Sequence, residues 1–341
     1  MAEKTIVCRF QQPNKEKLEA IRQEYSNAQD YLQEEEDVEL YSATKQQMDR
    51  RAGKEDKEQP LFIRNDTFEI AKRDTELTKY WARIPVASVH GGIWIPIQPH
   101  TEIQEDWEIG DSKIVKQSYG FELHLTVKKE IGTQEEYDGV LGIDLGLRKL
   151  ATATDVPLSD IPSNQTICLG SEVENYPDKY FHLRRNCRNG YVRKRWDGKV
   201  ADRTEDLCHQ ISREIVDRAK EKNLFIVIGD LEGIQNKDRG KRMNRTIRNF
   251  PHWKLRNYIK YKAKWEGIKV IEVSEAYTSQ TCSQCGEKSS PRKGMFQCQS
   301  CGYETDRDKN ASYNIGKRGI GKLSEASFDS EGCVTQPQIH S

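Results

Sequence analysis

Four cysteines carry the most specific chemical signal in this chain. They form Cys282-Ser-Gln-Cys285 and Cys298-Gln-Ser-Cys301, with twelve residues between the pairs. Each CxxC turn sets two thiolates on one side of a tight knuckle. Two knuckles complete the tetrahedral four-sulfur shell of a closed structural Zn2+ site. Gly286 and Gly302 follow the pairs, where a positive φ is cheap. The alternative is two disulfides, which belong to exported proteins, and nothing here reads as secreted. Cys8, Cys168, Cys187, Cys208 and Cys333 are scattered and odd in number, and read as free thiols.

Seven residues beyond Cys301 stands Asp308, in the run Asp306-Arg307-Asp308-Lys309-Asn310-Ala311. Asp306 suits the N-cap of a final helix. A further acid, Asp144, closes the apolar run Gly139-Val140-Leu141-Gly142-Ile143; alone it reads as a strand-end turn residue sooner than as a catalytic one. Acids brought together from distant sequence suit phosphodiester hydrolysis. There Asp and Glu hold two Mg2+ ions, one activating water and the other steadying the leaving oxygen.

The charge pattern fits a polyanionic partner. The 54 basic and 54 acidic residues cancel overall but are unevenly placed. Residues 179–199 carry eight basic residues against Asp197, and residues 237–256 carry eight against Asp238. Acid collects early, as in Glu34-Glu35-Glu36-Asp37. Such asymmetry points to phosphate contact in the C-terminal part, against the plainer reading of solvated helical faces. The start, Met1-Ala2-Glu3-Lys4, lacks an export signal's basic and apolar stretches, and no run approaches membrane-spanning length. A cytoplasmic setting is expected.

The elements that must position these residues fall into three regions. Residues 5–10 read as a strand. Residues 15–56 read as helical with a thin apolar stripe (Leu18, Ile21, Tyr25, Tyr31, Leu32), residues 53–60 as a linker, and residues 66–81 as a further helix. From residue 84 to 130 the pattern turns to β, clearest at 93–97 and 121–127. Residues 1–12 and 82–134 thus form one β module with helices inserted at 13–81. His90, His100 and His124 read as ordinary polar histidines.

The third region predicts a strand at 139–144, another at 150–154, and a helix at 200–222. A buried strand at 224–228, a helix at 255–265 and a strand at 269–275 follow. The last helix spans 309–317, and 319–341 reads as a disordered tail. This is the order of an RNase H-like α/β domain, in which the first, fourth and fifth strands lie parallel and adjacent. The domain is expected over 137–275 and 306–318, with the cysteine ribbon at 276–305 inserted.

These motifs together resemble TnpB, a family of transposon-encoded RNA-guided nucleases related to small type V CRISPR effectors. The resemblance rests on Gly142-Ile143-Asp144-Leu145-Gly146, Thr278 to Gly286, Cys298 to Tyr303 and Asp306 to Ala311, and it covers about residues 137–318. It implies a wedge β-barrel, an inserted helical recognition domain, a RuvC-like nuclease domain and a zinc-binding loading domain. It further implies a guide RNA from the transposon end, and Mg-dependent cleavage of double-stranded DNA beside a short motif. Whether the protein acts as a monomer or a dimer on RNA is left open.

The sequence departs from that family at one catalytic position. Where a Glu is expected before Asp-Leu, it reads Ile228-Gly229-Asp230-Leu231. Asp230 points to the opposite face by strand alternation, and Glu232 lies beyond the strand end. Glu275 falls in phase with Ile271 and Val273, one strand spacing of about 5 Å from the vacancy. Glu275 is therefore the expected replacement, joining Asp144 and Asp308. A nuclease-dead RNA-guided DNA-binding repressor and a RuvC-like resolvase or transposase are the alternatives. Expected nucleic-acid contacts are Arg148, Lys149, Arg184, Arg185, Arg188, Arg193, Arg239, Lys241, Arg242 and Arg245. Trp253 is expected to pack its helix onto the sheet, and His209 and Ser212 read as structural or functional alike.

Overall fold

The computed structural model describes residues 1–33, 38–51, 58–73, 75–132, 134, 136–146, 149–158, 165–171, 187, 189–230, 251–291 and 294–326. The chain divides into two compact units, Met1–Glu130 and Ile131–Ser341. No helix among the described residues is long and apolar enough to cross a membrane.

The first unit is built on an eight-stranded antiparallel sheet. Its central strands, β1 (Ala2–Phe10) and β8 (Gly120–Lys129), pair from Ala2 to Arg9. Strict alternation along β8 turns Leu123, Leu125 and Val127 into the core. Helices α1 (Lys15–Leu32) and α2 (Ser42–Arg51) bear out helical character before residue 52. The expected helix at 66–81 is not formed. Strand β3 (Glu69–Lys72) instead pairs antiparallel with β4 (Tyr80–Val86), and β2 (Leu61–Ile63) joins the same sheet. Tyr80, Ala82 and Ile84 are buried at every second position, a period of two that overrides the apparent helical spacing. The helical insert therefore ends earlier than residue 81. Among the described residues the sheet path runs open from β2 to β3, with no pairing that closes it into a barrel.

The second unit carries the candidate site. Its five strands lie in the order β11-β10-β9-β12-β13. Strands β9 (Gly139–Asp144), β10 (Ala151–Pro157) and β11 (Thr166–Leu169) form the antiparallel meander. Strand β12 (Leu224–Asp230) runs parallel to β9, and β13 (Val270–Ser274) parallel to β12. This is the RNase H-like order expected from the sequence.

Helices cover both faces, as a parallel core requires. Leu141, Ile143, Ile226 and Ile228 pack against α3 (Gly190–Glu221) and α4 (His252–Glu266) through Ile211, Ile215, Leu255 and Ile259. On the other face, Val140, Phe225, Val227 and Val273 meet Ile315 of α5 (Arg307–Ala326). Two helices exceed their expected spans. α3 starts ten residues before Val200, where the Asn189 carboxamide accepts from the Tyr191 and Val192 amides. α5 continues through Ala326, so residues 319–326 of the expected tail are helical, with Ile320 packed on the core.

Candidate active site

Strand parity puts the acids on one face. Along β12, Phe225 and Val227 face α5, so Gly229 does too, whereas Ile226, Ile228 and Asp230 face α4. The same count along β9 turns Gly142 and Asp144 toward α5, and along β13 it turns Ile271, Val273 and then Glu275 the same way. Asp308 lies in the first turn of α5 itself. Asp144, Gly229 and Glu275 therefore share the C-terminal edge of three adjacent parallel strands, beneath the helix that carries Asp308. Asp230 is turned away, and its carboxylate accepts from Arg256 Nη1 at 2.9 Å.

The missing side chain at position 229 is replaced in space. A Cβ built on Gly229 would lie 2.7 Å from Glu275 Cδ, and would also overlap Glu275 Oε1 and Cγ. The Glu275 carboxyl thus occupies the volume that a residue at 229 would fill. Its Oε1 is buried with no hydrogen-bond partner among the described residues. A second close approach holds the helix. A Cβ at Gly142 would meet Gly316 N at 2.6 Å and overlap the Ser312 carbonyl, so only glycine lets α5 lie this near β9.

The electrostatics follow from this crowding. Burial, reinforced by Asp308, pushes the Asp144 carboxyl from its ordinary 3.8 up to about 7. Burial, reinforced by Asp144 and Asp230, pushes Glu275 from 4.5 up to about 8. Lys149 stands beside the cluster, its Nζ 3.0 Å from Asp306 Oδ2 and 3.7 Å from Asp308 Oδ2. Asp306 caps α5 as expected, accepting from the Asp308 and Lys309 amides at 2.8 and 3.2 Å. Burial opposes its ionisation, but Lys149 and those amides outweigh it and hold the carboxyl below its usual range. A buried acceptor without a donor, amid hard oxygen donors whose charge is suppressed, fits a divalent cation of the Mg2+ type.

The cysteines are set more tightly. Cys282, Cys285, Cys298 and Cys301 bring their sulfurs within 4.8 Å of one another, the one group this close among the described residues. Sγ–Sγ distances of 3.7 Å (Cys282–Cys301) and 3.5 Å (Cys285–Cys298) are too long for disulfides. They approach the edge of about 3.8 Å that a tetrahedron with Zn–S bonds of about 2.3 Å requires. Gly286 and Gly302 have φ of +81° and +75°, and their amides donate to the Cys282 and Cys298 carbonyls. The thiols of Cys8, Cys168, Cys187 and Cys208 are free.

Ribbon and acids are joined by α5. Asn310 and Asn314 each donate to the Thr281 carbonyl at 2.7 Å, and Asn310 Oδ1 accepts from the Ser283 amide at 3.0 Å. Lys317 reaches the Ser283 carbonyl at 3.0 Å, and Arg318 those of Ser274 and Ala276 at 2.5 and 2.8 Å. One helix grips the whole segment that bears Glu275 and the first knuckle. The sequence signal for this clamp is an amide pair four residues apart, Asn310 and Asn314.

Other expected contacts are distributed as follows. Arg148, Arg184, Arg185, Arg188, Glu232, Arg239, Lys241, Arg242 and Arg245 lie outside the described residues, as does the side chain of Arg193. Trp253 does not pack on the sheet: it is 68% exposed in the first turn of α4, because Leu255 and Ile259 fill the buried stripe. His209 stacks on Tyr258 at 4.2 Å, and Ser212 accepts from the buried Lys262 at 2.7 Å. Both serve the α3–α4 interface.

A sheet of this order, with acids at one edge and a four-cysteine ribbon spliced in before its last helix, is an α/β domain of RNase H-like topology. Residues 252–315 match the family model described as Cas12f1-like, TNB domain. The chain is 32% identical over 225 residues to the CRISPR-associated endodeoxyribonuclease Cas12f2 of Micrarchaeota archaeon (strain CG1_02_47_40), spanning 59% of this chain and 41% of that one. It is 30% identical over 242 residues to Cas12f1 of Sulfoacidibacillus thermotolerans (64% and 55%). It is also 24% identical over 229 residues to the TnpB-like protein MJ0751 of Methanocaldococcus jannaschii (63% and 81%). The chain is thus similar to Cas12f and TnpB-like proteins, and it spans about half the length of the two Cas12f relatives.

Proposed function

We propose that the protein is an RNA-guided DNA endonuclease whose active centre is Asp144, Glu275 and Asp308. The observation that carries this reading is the Glu275 carboxyl seated in the volume left by Gly229, with a buried oxygen that has no hydrogen-bond partner among the described residues. A site that had merely lost its middle acid would not hold a second one there at the cost of desolvation.

In this reading the three carboxylates would hold Mg2+, which when bound supplies the charge that activates water and steadies the leaving oxygen. Asp144 is fixed by β9 and Asp308 by the capped start of α5. Glu275 reaches in from beyond β13. Lys149 holds Asp306 and Asp308 by charge and keeps the cap in place. Base pairing with a guide RNA from the transposon end would select the double-stranded target, while the protein reads backbone shape and a short adjacent motif. Zn2+ on the four cysteines would hold the ribbon folded.

A cleavage assay with Mg2+ and the co-purifying RNA compares the wild type with Asp144→Ala, Glu275→Ala and Glu232→Ala. Loss of cutting in the first two, with Glu232→Ala active, is the expected result. Full activity in Glu275→Ala would reject the relocated acid. A wild type that binds its target without cutting would favour the repressor instead.

A further inference from the structure

The turn after Glu275 contains a tyrosine where the backbone calls for glycine. The Thr278 amide donates to the Glu275 carbonyl at 3.1 Å, closing a four-residue turn, and Tyr277 at its third position has φ of +65°. That position of a type II turn belongs to Gly or Asn. The backbone reason for the turn is plain. The Tyr277 carbonyl accepts from the Gln280 and Thr281 amides and from Thr281 Oγ1, each at 3.0 Å. Thr278 is buried beneath, with its carbonyl held by Asn314 at 2.9 Å.

None of this needs the ring. Tyr277 is 58% exposed, and among the described residues its ring meets the Lys288 ammonium, 4.5 Å from the ring centroid. Lys288 is itself held by a backbone bridge to Thr281. A glycine would satisfy the turn without strain, so the side chain is unexplained by the fold. Strain of this kind, over-determined by its surroundings, is a mark of function rather than of stability.

We infer that Tyr277 and Lys288 form a stacking platform for an unpaired nucleobase, with the ammonium meeting the adjoining phosphate, two residues from Glu275. An exposed aromatic face beside a cation is the arrangement that binds single strands without regard to sequence. The clamp from α5 fixes the turn, so the base would be presented in a constant position to the acids. The inference rests on the nuclease reading above and adds to it the residues that seat the strand.

The test measures binding, not cutting. The full chain, in Ca2+ in place of Mg2+, is titrated against a fluorescein-labelled single-stranded 15-mer DNA and followed by anisotropy at several salt concentrations. Tyr277→Gly is expected to bind roughly tenfold more weakly with an unchanged salt slope, since stacking is not ionic. Tyr277→Phe should bind as the wild type does. Lys288→Ala should reduce the salt slope by about one phosphate contact. Thermal melting of Tyr277→Gly should show an unchanged or raised Tm, because glycine relieves the left-handed backbone. Wild-type affinity in Tyr277→Gly, or a Tm lowered by several degrees, would overturn the platform while leaving the nuclease reading intact. No binding of the 15-mer by the wild type would likewise overturn the platform, whereas the nuclease reading stands or falls with the cleavage assay.

Discussion

The carboxyl of Glu275 fills the space above Gly229, so that two positions on neighbouring strands share one side-chain volume. Only one of them can carry an acid. Gly229→Ala should therefore displace Glu275, at a stability cost of about 1–3 kcal/mol for overpacking. Cleavage should fall roughly a hundredfold, as it does when a catalytic group is misplaced by about an ångström. The exchanged pair Gly229→Glu with Glu275→Gly should recover activity that Gly229→Glu alone lacks. Cleavage rates and urea midpoints of the three variants check this.

Stability without Mg2+ should decline as pH rises. Glu275 and Asp144 titrate near 8 and 7 in the folded chain, far above their ordinary 4.5 and 3.8. The folded state therefore holds protons that the unfolded state has released, and stability falls from about pH 4 through about pH 8. Mg2+ should restore more stability at pH 8 than at pH 5.5, and Glu275→Gln should flatten the metal-free profile. Urea unfolding across that range measures both.

Asn310→Ala should cost about 1–3 kcal/mol, since it leaves the buried Ser283 amide without its acceptor, and Asn314→Ala about 1 kcal/mol, since Asn310 still donates to the same carbonyls. Both donate to the Thr278 and Thr281 carbonyls, so each single variant keeps one donor on them and the double variant, which orphans both, should cost more than the sum. Zinc release to a colorimetric chelator should quicken in both. A variant that melts early yet releases metal at the wild-type rate would show that the clamp does not reach the knuckle.

A separate prediction concerns the frame. Asp155, buried on β10, is held bidentately by Arg218 at 2.8 and 2.7 Å and by Lys222 at 2.7 Å. Arg218→Ala should destabilise by about 3–5 kcal/mol, because it strips most of the compensation from a buried charge. Asp155→Asn should cost less. Thermal melts of the two variants give the comparison.

The strands, the ribbon and the acids at strand ends were legible because each has a short-range signature: apolar runs, paired CxxC turns and alternation. Glu275 was legible through phase alone, from Ile271 and Val273. What escaped has a tertiary cause. The region at 66–81 carries apolar residues at spacings that suit either a helix or a strand, and pairing with its neighbours decided for the strand. The exposure of Trp253 depended on Leu255 and Ile259 taking the buried stripe. The reach of α5 to Ala326 depends on small residues, with Gly142, Gly316 and Gly319 allowing an approach that hydrophobicity does not announce. A Cβ at Gly319 would overlap Val227.

That helix also bears on the order in which the protein is made. Val140, Phe225, Val227 and Val273 have their cover only when residues 307–326 leave the ribosome, after every strand of the sheet has been synthesised. Until then one face of the sheet is bare and Asp308 is absent from the cluster. The acid cluster is thus completed last, and a chain interrupted before this helix is left without Asp308 and with an apolar face exposed to aggregation.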